Sequence, residues 1–175
     1  MKIIRTCFLF MSSIAASTSF ADESPSYFDG KLHLPTVNAD GKPGFFQEVV
    51  IEAAGDNLWR VSELYEGIPI RRINQVELIE SNSTPVQVFL KISGTISGCE
   101  RFGSVSAILI GNTFNVVAYY KVDKSRPGEV ACAQFESPYS ETIPIPVYGL
   151  NAGVYLYNLN DQFTGTFTLI TNNTL

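Results

Sequence analysis

Apolar and polar residues alternate along most of the second half of the chain. The clearest runs with a period of two are Val86 to Ile92, Val105 to Leu109, Phe114 to Val122 and Phe163 to Leu169. Successive side chains of a β-strand point to opposite faces, so this period puts one set into a core and the other toward solvent. Turn residues such as Gly111-Asn112 separate the runs. The pattern predicts an all-β, antiparallel β-sandwich over residues 81–175.

The alternation before residue 80 is similar but less regular. It predicts three strands, at Lys31 to Val37, Phe46 to Ala53 and Leu58 to Leu64. Residues 22–80 are therefore expected to form a short β-meander. A segment this short buries little apolar surface by itself, so we expect it to pack on the sandwich. A weak helical pattern at Ser62 to Arg72 is interrupted by Gly67 and Pro69.

Three prolines favour a sandwich over a closed barrel. Pro138, Pro144 and Pro146 fall where the chain would otherwise continue as a strand. Proline cannot donate to a β-ladder and is confined to edge strands, strand starts and bulges. This part of the chain is therefore expected to form an edge strand or to switch between sheets.

The first residues have the pattern of a secretory signal peptide. Lys2 and Arg5 precede an apolar run from Cys7 to Ala16, and small residues occupy Ser19 and Ala21. We predict a signal peptide at residues 1–21, cleaved after Ala21, and a periplasmic or secreted mature chain. No later stretch approaches the roughly 20 apolar residues of a spanning helix, so no membrane insertion is expected after cleavage.

The charge of the chain disfavours one class of partner. The formal net charge is −5, and removal of Lys2 and Arg5 with the signal peptide makes it −7. Such a surface repels phosphate backbones, and Lys and Arg do not cluster anywhere in the chain. Nucleic acid is therefore not expected as a partner.

Two cysteines, Cys99 and Cys132, would remain in the exported chain. In an oxidising compartment an even pair predicts a disulfide. The bridge would close a loop of 132 − 99 = 33 steps, which the chain-entropy model values at roughly 3–4 kcal/mol. A nucleophilic or metal-binding thiol is the alternative, and it would need partner residues that the sequence does not offer.

The segment Gly149-Leu150-Asn151-Ala152-Gly153-Val154-Tyr155 predicts a structural corner. Glycines at 149 and 153 permit backbone angles that a side chain would forbid. Leu150 can fill the core, and the Tyr155 hydroxyl can bond back to the backbone. This arrangement resembles the tyrosine corner of immunoglobulin-like sandwiches.

A wider pattern includes this corner. The chain contains, in this order, Cys99, Cys132, Ser137-Pro138-Tyr139, the corner and Phe167-Thr168-Leu169. In this order the chain resembles a loosely defined set of exported bacterial proteins, mostly uncharacterised, that end in an immunoglobulin-like module. The resemblance covers about residues 85–170 and implies an immunoglobulin-like β-sandwich. It implies no catalytic residue.

The sequence offers few groups for catalysis or metal binding. His33 is the single histidine and lies between Leu32 and Leu34 on a predicted strand, so it is expected at the surface. The acidic pairs Glu77 and Glu80, Asp22 and Glu23, and Glu136 and Glu141 lie in no distinctive motif. The segment Asn38 to Gly41 does not match the spacing of an EF-hand loop. No catalytic residue, metal or cofactor is therefore predicted.

Aromatic residues are the remaining candidates for function. Those expected near turns or on outward faces are Trp59, Tyr65, Tyr139, Tyr148 and Tyr157. Tyr and Trp commonly anchor recognition surfaces. The sequence therefore predicts a non-catalytic binding module for a protein or glycan. Three alternatives stay open: an inhibitor of a lysozyme or protease, a carboxylate-based hydrolase, and a surface-fibre subunit open to strand addition.

Overall fold

The computed structural model describes residues 24–122 and 135–175, and their regular structure consists of strands. These strands are β1 (Ser26–Phe28), β2 (Lys31–Ala39), β3 (Lys42–Gly55), β4 (Leu58–Glu66), β5 (Ile73–Glu80), β6 (Val88–Ser97), β7 (Phe102–Ile110), β8 (Thr113–Tyr120), β9 (Glu136–Ile145), β10 (Gly153–Leu159) and β11 (Phe163–Leu169). The predicted all-β class is confirmed.

The first four strands form one antiparallel sheet in the order β1-β2-β3-β4, which we call the meander sheet. Its turns contain residues with positive φ, such as Asp56 and Asn57 between β3 and β4. Two such residues in a row suit the tight hairpin turns that match the twist of the strands. The weak helical pattern at residues 62–72 forms no helix, because β4 continues as a strand to Glu66.

The other seven strands form two sheets that pack face to face. Their orders are β5-β6-β9 and β11-β10-β8-β7. The core takes Val88, Leu90 and Ile92 from the first sheet and alternate residues such as Phe114 and Val116 from the second. Period-two alternation thus supplies both inner layers, and the predicted β-sandwich is confirmed.

Two details of the sandwich differ from the sequence expectations. Strand β5 pairs with β6 along residues 73–80, so the sandwich begins before residue 81. Strands β8 and β10 pair in parallel, with Leu156 opposite Thr113. Immunoglobulin sheets are antiparallel, so the expected antiparallel order is wrong for this pair.

Strand β9 carries Pro138 and Pro144 and pairs with β6. Within the described residues it is the last strand of its sheet. Because neither proline can donate a hydrogen bond, an edge position leaves the ladder with β6 intact.

The segment between β4 and β5 joins the meander sheet to the sandwich. Ile70 N–H donates to the carbonyl of Ala118, and Tyr120 N–H donates to that of Ile68. The Asn160 side chain completes this junction: its Nδ2 donates to Ile70 O at 2.7 Å, and its Oδ1 accepts from Ala118 N–H at 2.8 Å. One side-chain amide thus joins the β10–β11 turn both to β8 and to the segment between β4 and β5.

Tyr119 provides the second link between the two parts. Its side chain is buried, and its hydroxyl donates to the carbonyl of Pro43 at 2.6 Å. Burial raises the pKa of Tyr119 to about 12. Gly44 packs so closely on Ser106 and Tyr119 that a Cβ there would overlap the Ser106 hydroxyl. The first residues of β3 are therefore held against the sandwich.

The corner at residues 149–155 has a tyrosine hydrogen bond of the expected kind. The Tyr155 hydroxyl donates to the carbonyl of Asn151 at 2.9 Å, and Leu150 packs against the core. Gly149 has φ +83°, which favours glycine. Gly153 has no positive φ, and a Cβ there would make only an ordinary contact with the Tyr155 ring at 3.8 Å, so the expected need for glycine applies to position 149 alone.

The segment after β11 is fixed by Asn173. Its side chain is 3% exposed, and its Nδ2 donates to the carbonyls of Val86 and Val147 at 2.9 and 3.0 Å. Its Oδ1 accepts from Val86 N–H at 2.7 Å. Its backbone N–H donates to Leu150 O, and its carbonyl accepts from Gly149 N–H. One residue therefore joins the start of β6 to the corner.

Candidate functional site

One face of the meander sheet carries an apolar row that crosses all four strands. Tyr27 lies opposite Leu32, Leu32 opposite Ile51, and Ile51 opposite Val61. Directly opposed residues of antiparallel strands share a face. Trp59 lies two residues from Val61 and opposite Ala53, so its ring extends the same face. We call these five residues, Tyr27, Leu32, Ile51, Trp59 and Val61, the apolar face.

The outer members of the apolar face are open to solvent. Tyr27 is 66% exposed, and Trp59 and Val61 are each 56% exposed, while Leu32 and Ile51 between them are half-buried. Single exposed apolar residues are ordinary on protein surfaces. A contiguous row across a sheet is typical of an interaction site.

The opposite face of the same sheet is charged and internally paired. Lys31 lies opposite Glu52, and Glu52 opposite Arg60. Arg60 Nε donates to Glu52 Oε1 at 2.8 Å, and Lys31 Nζ lies 3.3 Å from Glu52 Oε2. Hydrogen bonds from Arg60 and then Lys31 hold the pKa of Glu52 below its usual value. A charged row thus crosses β2, β3 and β4 on the side opposite the apolar face.

The structure divides the five aromatic residues predicted for binding. Trp59 and Tyr148 are exposed, and Tyr65 on β4 is half-buried. Tyr139 and Tyr157 are only 9% and 8% exposed and belong to the sandwich core, so the prediction of both as binding residues is wrong. Burial raises the pKa of Tyr139 to about 12.

The two buried tyrosines have structural contacts instead. The Tyr139 hydroxyl lies 3.3 Å from the carbonyl of Arg72, and the ring covers Gly94. The Tyr157 ring covers Gly165 on the neighbouring strand, where a Cβ would lie 2.5 Å from its hydroxyl oxygen. An aromatic ring over a strand glycine restores packing that the glycine cannot provide.

A groove of about 530 Å³ runs between the meander sheet and the sandwich. Its lining includes Thr36 and Gln47 from the meander sheet and Ser104 and Ser106 from β7. Gln47 Nε2 and Ser104 Oγ are buried and have no hydrogen-bond partner in the part of the chain that is described. The groove has room for water or a small polar group.

His33 is partly buried rather than fully at the surface. Its ring stacks on Phe28 with centroids 4.1 Å apart, and its Nε2 is a buried atom. The two residues line a shallow pocket with Pro35 and Glu48. The expectation of a surface side chain therefore holds only in part, because Phe28 covers one face of the ring.

The predicted acidic pairs are not brought together as reacting pairs. Glu77 and Glu80 are three residues apart on β5, and Glu136 and Glu141 are five apart on β9, so each pair alternates between faces. Glu136 instead forms an ion pair with Arg72 at 2.9 Å. Burial raises the pKa of Glu141.

Several sequence expectations lie outside the described residues. These are the signal peptide at residues 1–21, the pair Asp22 and Glu23, and Cys132. Cys99 lies between β6 and β7 and is half-buried. Over residues 24–122 and 135–175, no group of three His, Cys, Asp or Glu side chains is placed to hold a metal ion. The same ranges contain no helix able to cross a membrane.

Sequence reasoning finds Trp59 but misses the rest of the apolar face. Tyr27 lies before the first predicted strand, and Leu32, Ile51 and Val61 are predicted only as strand residues. The available signal is the apolar alternation of β4 itself, which continues although that strand is exposed at nearly every position.

The fold and the surface can be compared with known proteins. Residues 90–169 match the family model of the ORF11 beta-sandwich domain. No curated protein and no solved structure matches the chain. The matched range begins within β6 and ends at the last residue of β11, so it covers most of the sandwich. The chain is similar to the ORF11 beta-sandwich domain family over these residues, as a β-sandwich module.

Proposed function

We propose that this chain is a non-catalytic binding module that docks a partner protein on the apolar face of its meander sheet. The observation that carries the proposal is the unbroken row Tyr27–Leu32–Ile51–Val61, extended by Trp59. A tryptophan presents up to about 250 Å², so the 56% exposure of Trp59 leaves on the order of 100 Å² to bury. At about 25 cal/mol per Å² that side chain alone contributes roughly 2–3 kcal/mol on docking.

The chemistry of the face favours a protein over a glycan. Leu32, Ile51 and Val61 have no side-chain hydrogen-bonding group, whereas sugar hydroxyls need polar partners when they lose water. A protein surface with its own aliphatic and aromatic residues would lose no hydrogen bonds there. Trp and Tyr at the rim are typical anchors of such interfaces.

The position of the apolar row on a sheet face, rather than on a loop, also bears on the alternatives. An inhibitor of a lysozyme or protease would fill a concave active site with a protruding loop, whereas a sheet face suits a broad docking contact. A carboxylate-based hydrolase needs two facing carboxylates. The acidic pairs on β5 and β9 alternate between faces, which supports the non-catalytic proposal. Export to the periplasm or beyond is part of the proposal and rests on the pattern of residues 1–21.

The test begins with immobilised protein and cell-envelope extract. Proteins retained by the wild type are then compared with those retained by Tyr27→Ser and Trp59→Ser. Tyr148→Ser is the matched control, because Tyr148 is an exposed aromatic residue outside the meander sheet. Each variant must keep the far-ultraviolet circular dichroism of the wild type.

The expected result is a purified partner whose affinity falls at least tenfold with Tyr27→Ser and Trp59→Ser and is unchanged with Tyr148→Ser. Equal binding by all four proteins would overturn the proposal. A glycan array in which the same two substitutions abolish binding would replace the protein partner with a sugar.

A further inference from the structure

Strand β4 is an exposed edge. Among the described residues it pairs with β3 on one side only, and it is exposed at every position except Tyr65. The free side of an edge strand presents unpaired N–H and C=O groups to any strand that can align with it. The side chains of β4 therefore decide which strand fits.

A bulge gives β4 a self-complementary charge pattern. Glu63 pairs with Val50 and Val61 pairs with Ile51, so Ser62 is an extra residue on β4. In a regular strand, residues three apart point to opposite faces. Here Arg60 and Glu63 both share the face of Glu52 and Val50, because the bulge shifts the alternation by one.

We propose that two copies of this chain pair β4 to β4 in antiparallel register, centred between Val61 and Ser62. Arg60 of each copy then lies opposite Glu63 of the other. Trp59 lies opposite Leu64, and Leu58 opposite Tyr65. A two-fold axis repeats each pair, so one arrangement forms two opposite-charge pairs and buries four apolar pairs.

Other registers lose this match. Registers that place Arg60 opposite Arg60, or Glu63 opposite Glu63, bring like charges together, and so does a parallel in-register pair. The charges of β4 therefore select one closed dimer. They disfavour an open array built through this strand.

The dimer extends the proposed function and rests on the same sheet. The four strands of each meander sheet join into one sheet of eight. Trp59 and Val61 approach the axis on the apolar side, so the two apolar faces become continuous. A partner would then meet two equivalent docking sites on one surface, which strengthens binding to a repeated or dimeric partner.

The test measures self-association by sedimentation equilibrium. Arg60→Glu brings two glutamates face to face at both charge pairs, and Glu63→Arg brings two arginines face to face at both. Each substitution should weaken dimerisation at least tenfold. An equimolar mixture of the two variants should restore it, because both pairs of the mixed dimer are again of opposite charge. Glu77→Arg on β5 is the control and should leave the dimer unchanged.

Several outcomes would overturn the inference. These are a wild type that stays monomeric at submillimolar concentration, single variants that dimerise as well as the wild type, and a mixture that remains monomeric. Arg60→Glu also disturbs the contact with Glu52, so its circular dichroism and that of Glu63→Arg are checked first. Tyr27 lies on β1, at the other edge of the meander sheet, so Tyr27→Ser should abolish partner binding and leave the dimer intact. A wild type that binds the partner but forms no dimer would overturn the dimer and leave the proposed function standing.

Discussion

Replacing Asn173 by leucine tests how much of the sandwich depends on one amide. Leucine has a similar volume but cannot hydrogen-bond, so the substitution leaves three backbone groups without partners: Val86 N–H, Val86 C=O and Val147 C=O. A buried polar group without a partner costs about 1–3 kcal/mol. Val86 is partly exposed, which favours the lower end of that range for two of the three groups.

The sum predicts a loss of about 3–6 kcal/mol, against a typical total stability of about 5–15 kcal/mol. Urea unfolding followed by far-ultraviolet circular dichroism measures this loss directly. With a slope of about 2 kcal/mol per molar urea, the midpoint should fall by roughly 2 M.

Asn172→Leu provides the control for this measurement. Asn172 accepts one exposed hydrogen bond, from Ala152 N–H, and water can replace it. Its substitution should cost less than about 1 kcal/mol. If Asn173→Leu costs no more than Asn172→Leu, the argument that this amide closes the sandwich is refuted.

Three further results are expected. Gly165→Ala should lower stability by about 1–3 kcal/mol because its Cβ would overlap the Tyr157 ring. Gly153→Ala should be neutral, because its Cβ would make only an ordinary contact, 3.8 Å from the Tyr155 ring, and equal thermal unfolding of the two variants would contradict this packing. Tyr119 should ionise near pH 12, so the stability from its neutral form is present below pH 10 and is lost as the pH rises from 10 to 12. Absorbance titration of the tyrosines checks this, and Tyr119→Phe should remove part of the ionisation that occurs at the highest pH. Cys99 and Cys132 of the mature chain should react with a thiol reagent only after reduction, and Cys99→Ser should cost roughly 3–4 kcal/mol; free thiols in the native protein would exclude the bridge.

Much of the fold could be predicted because it depends on local alternation. The bounds of the three predicted meander strands differ from those observed by four residues at most, since each hairpin is set by neighbouring residues and by turns such as Asp56-Asn57. The alternating residues of β6, β8 and β11 supply the sandwich core, as expected.

The errors arose where long-range pairing decides the outcome. Period two does not show which strand lies beside which, so the parallel pairing of β8 with β10 could not be inferred. Nor does it distinguish an inward from an outward face, which is why Tyr139 and Tyr157 are predicted as surface residues. The role of Asn173 could not be predicted either, because an asparagine that bonds across 87 positions of sequence leaves no local pattern.

The apolar face was hidden for a related reason. Alternating apolar residues usually indicate burial, and the sequence does not show that Tyr27 and Val61 lie on a side that the described part of the chain leaves uncovered. The Lys31–Glu52–Arg60 ladder on the opposite side also depends on strand register, which the bulges of β3 and β4 alter.

The contacts of Asn173 also constrain the order of events during synthesis. The meander sheet pairs residues close in sequence and can form as soon as its strands leave the ribosome. The hydrogen bonds of Val86, just before β6, cannot form until residue 173 has been made, some 87 positions later. We therefore expect the groups of Val86 to lack these partners until residue 173 has left the ribosome, so that the folding of the sandwich is completed only after β11 and the segment that follows it have been made.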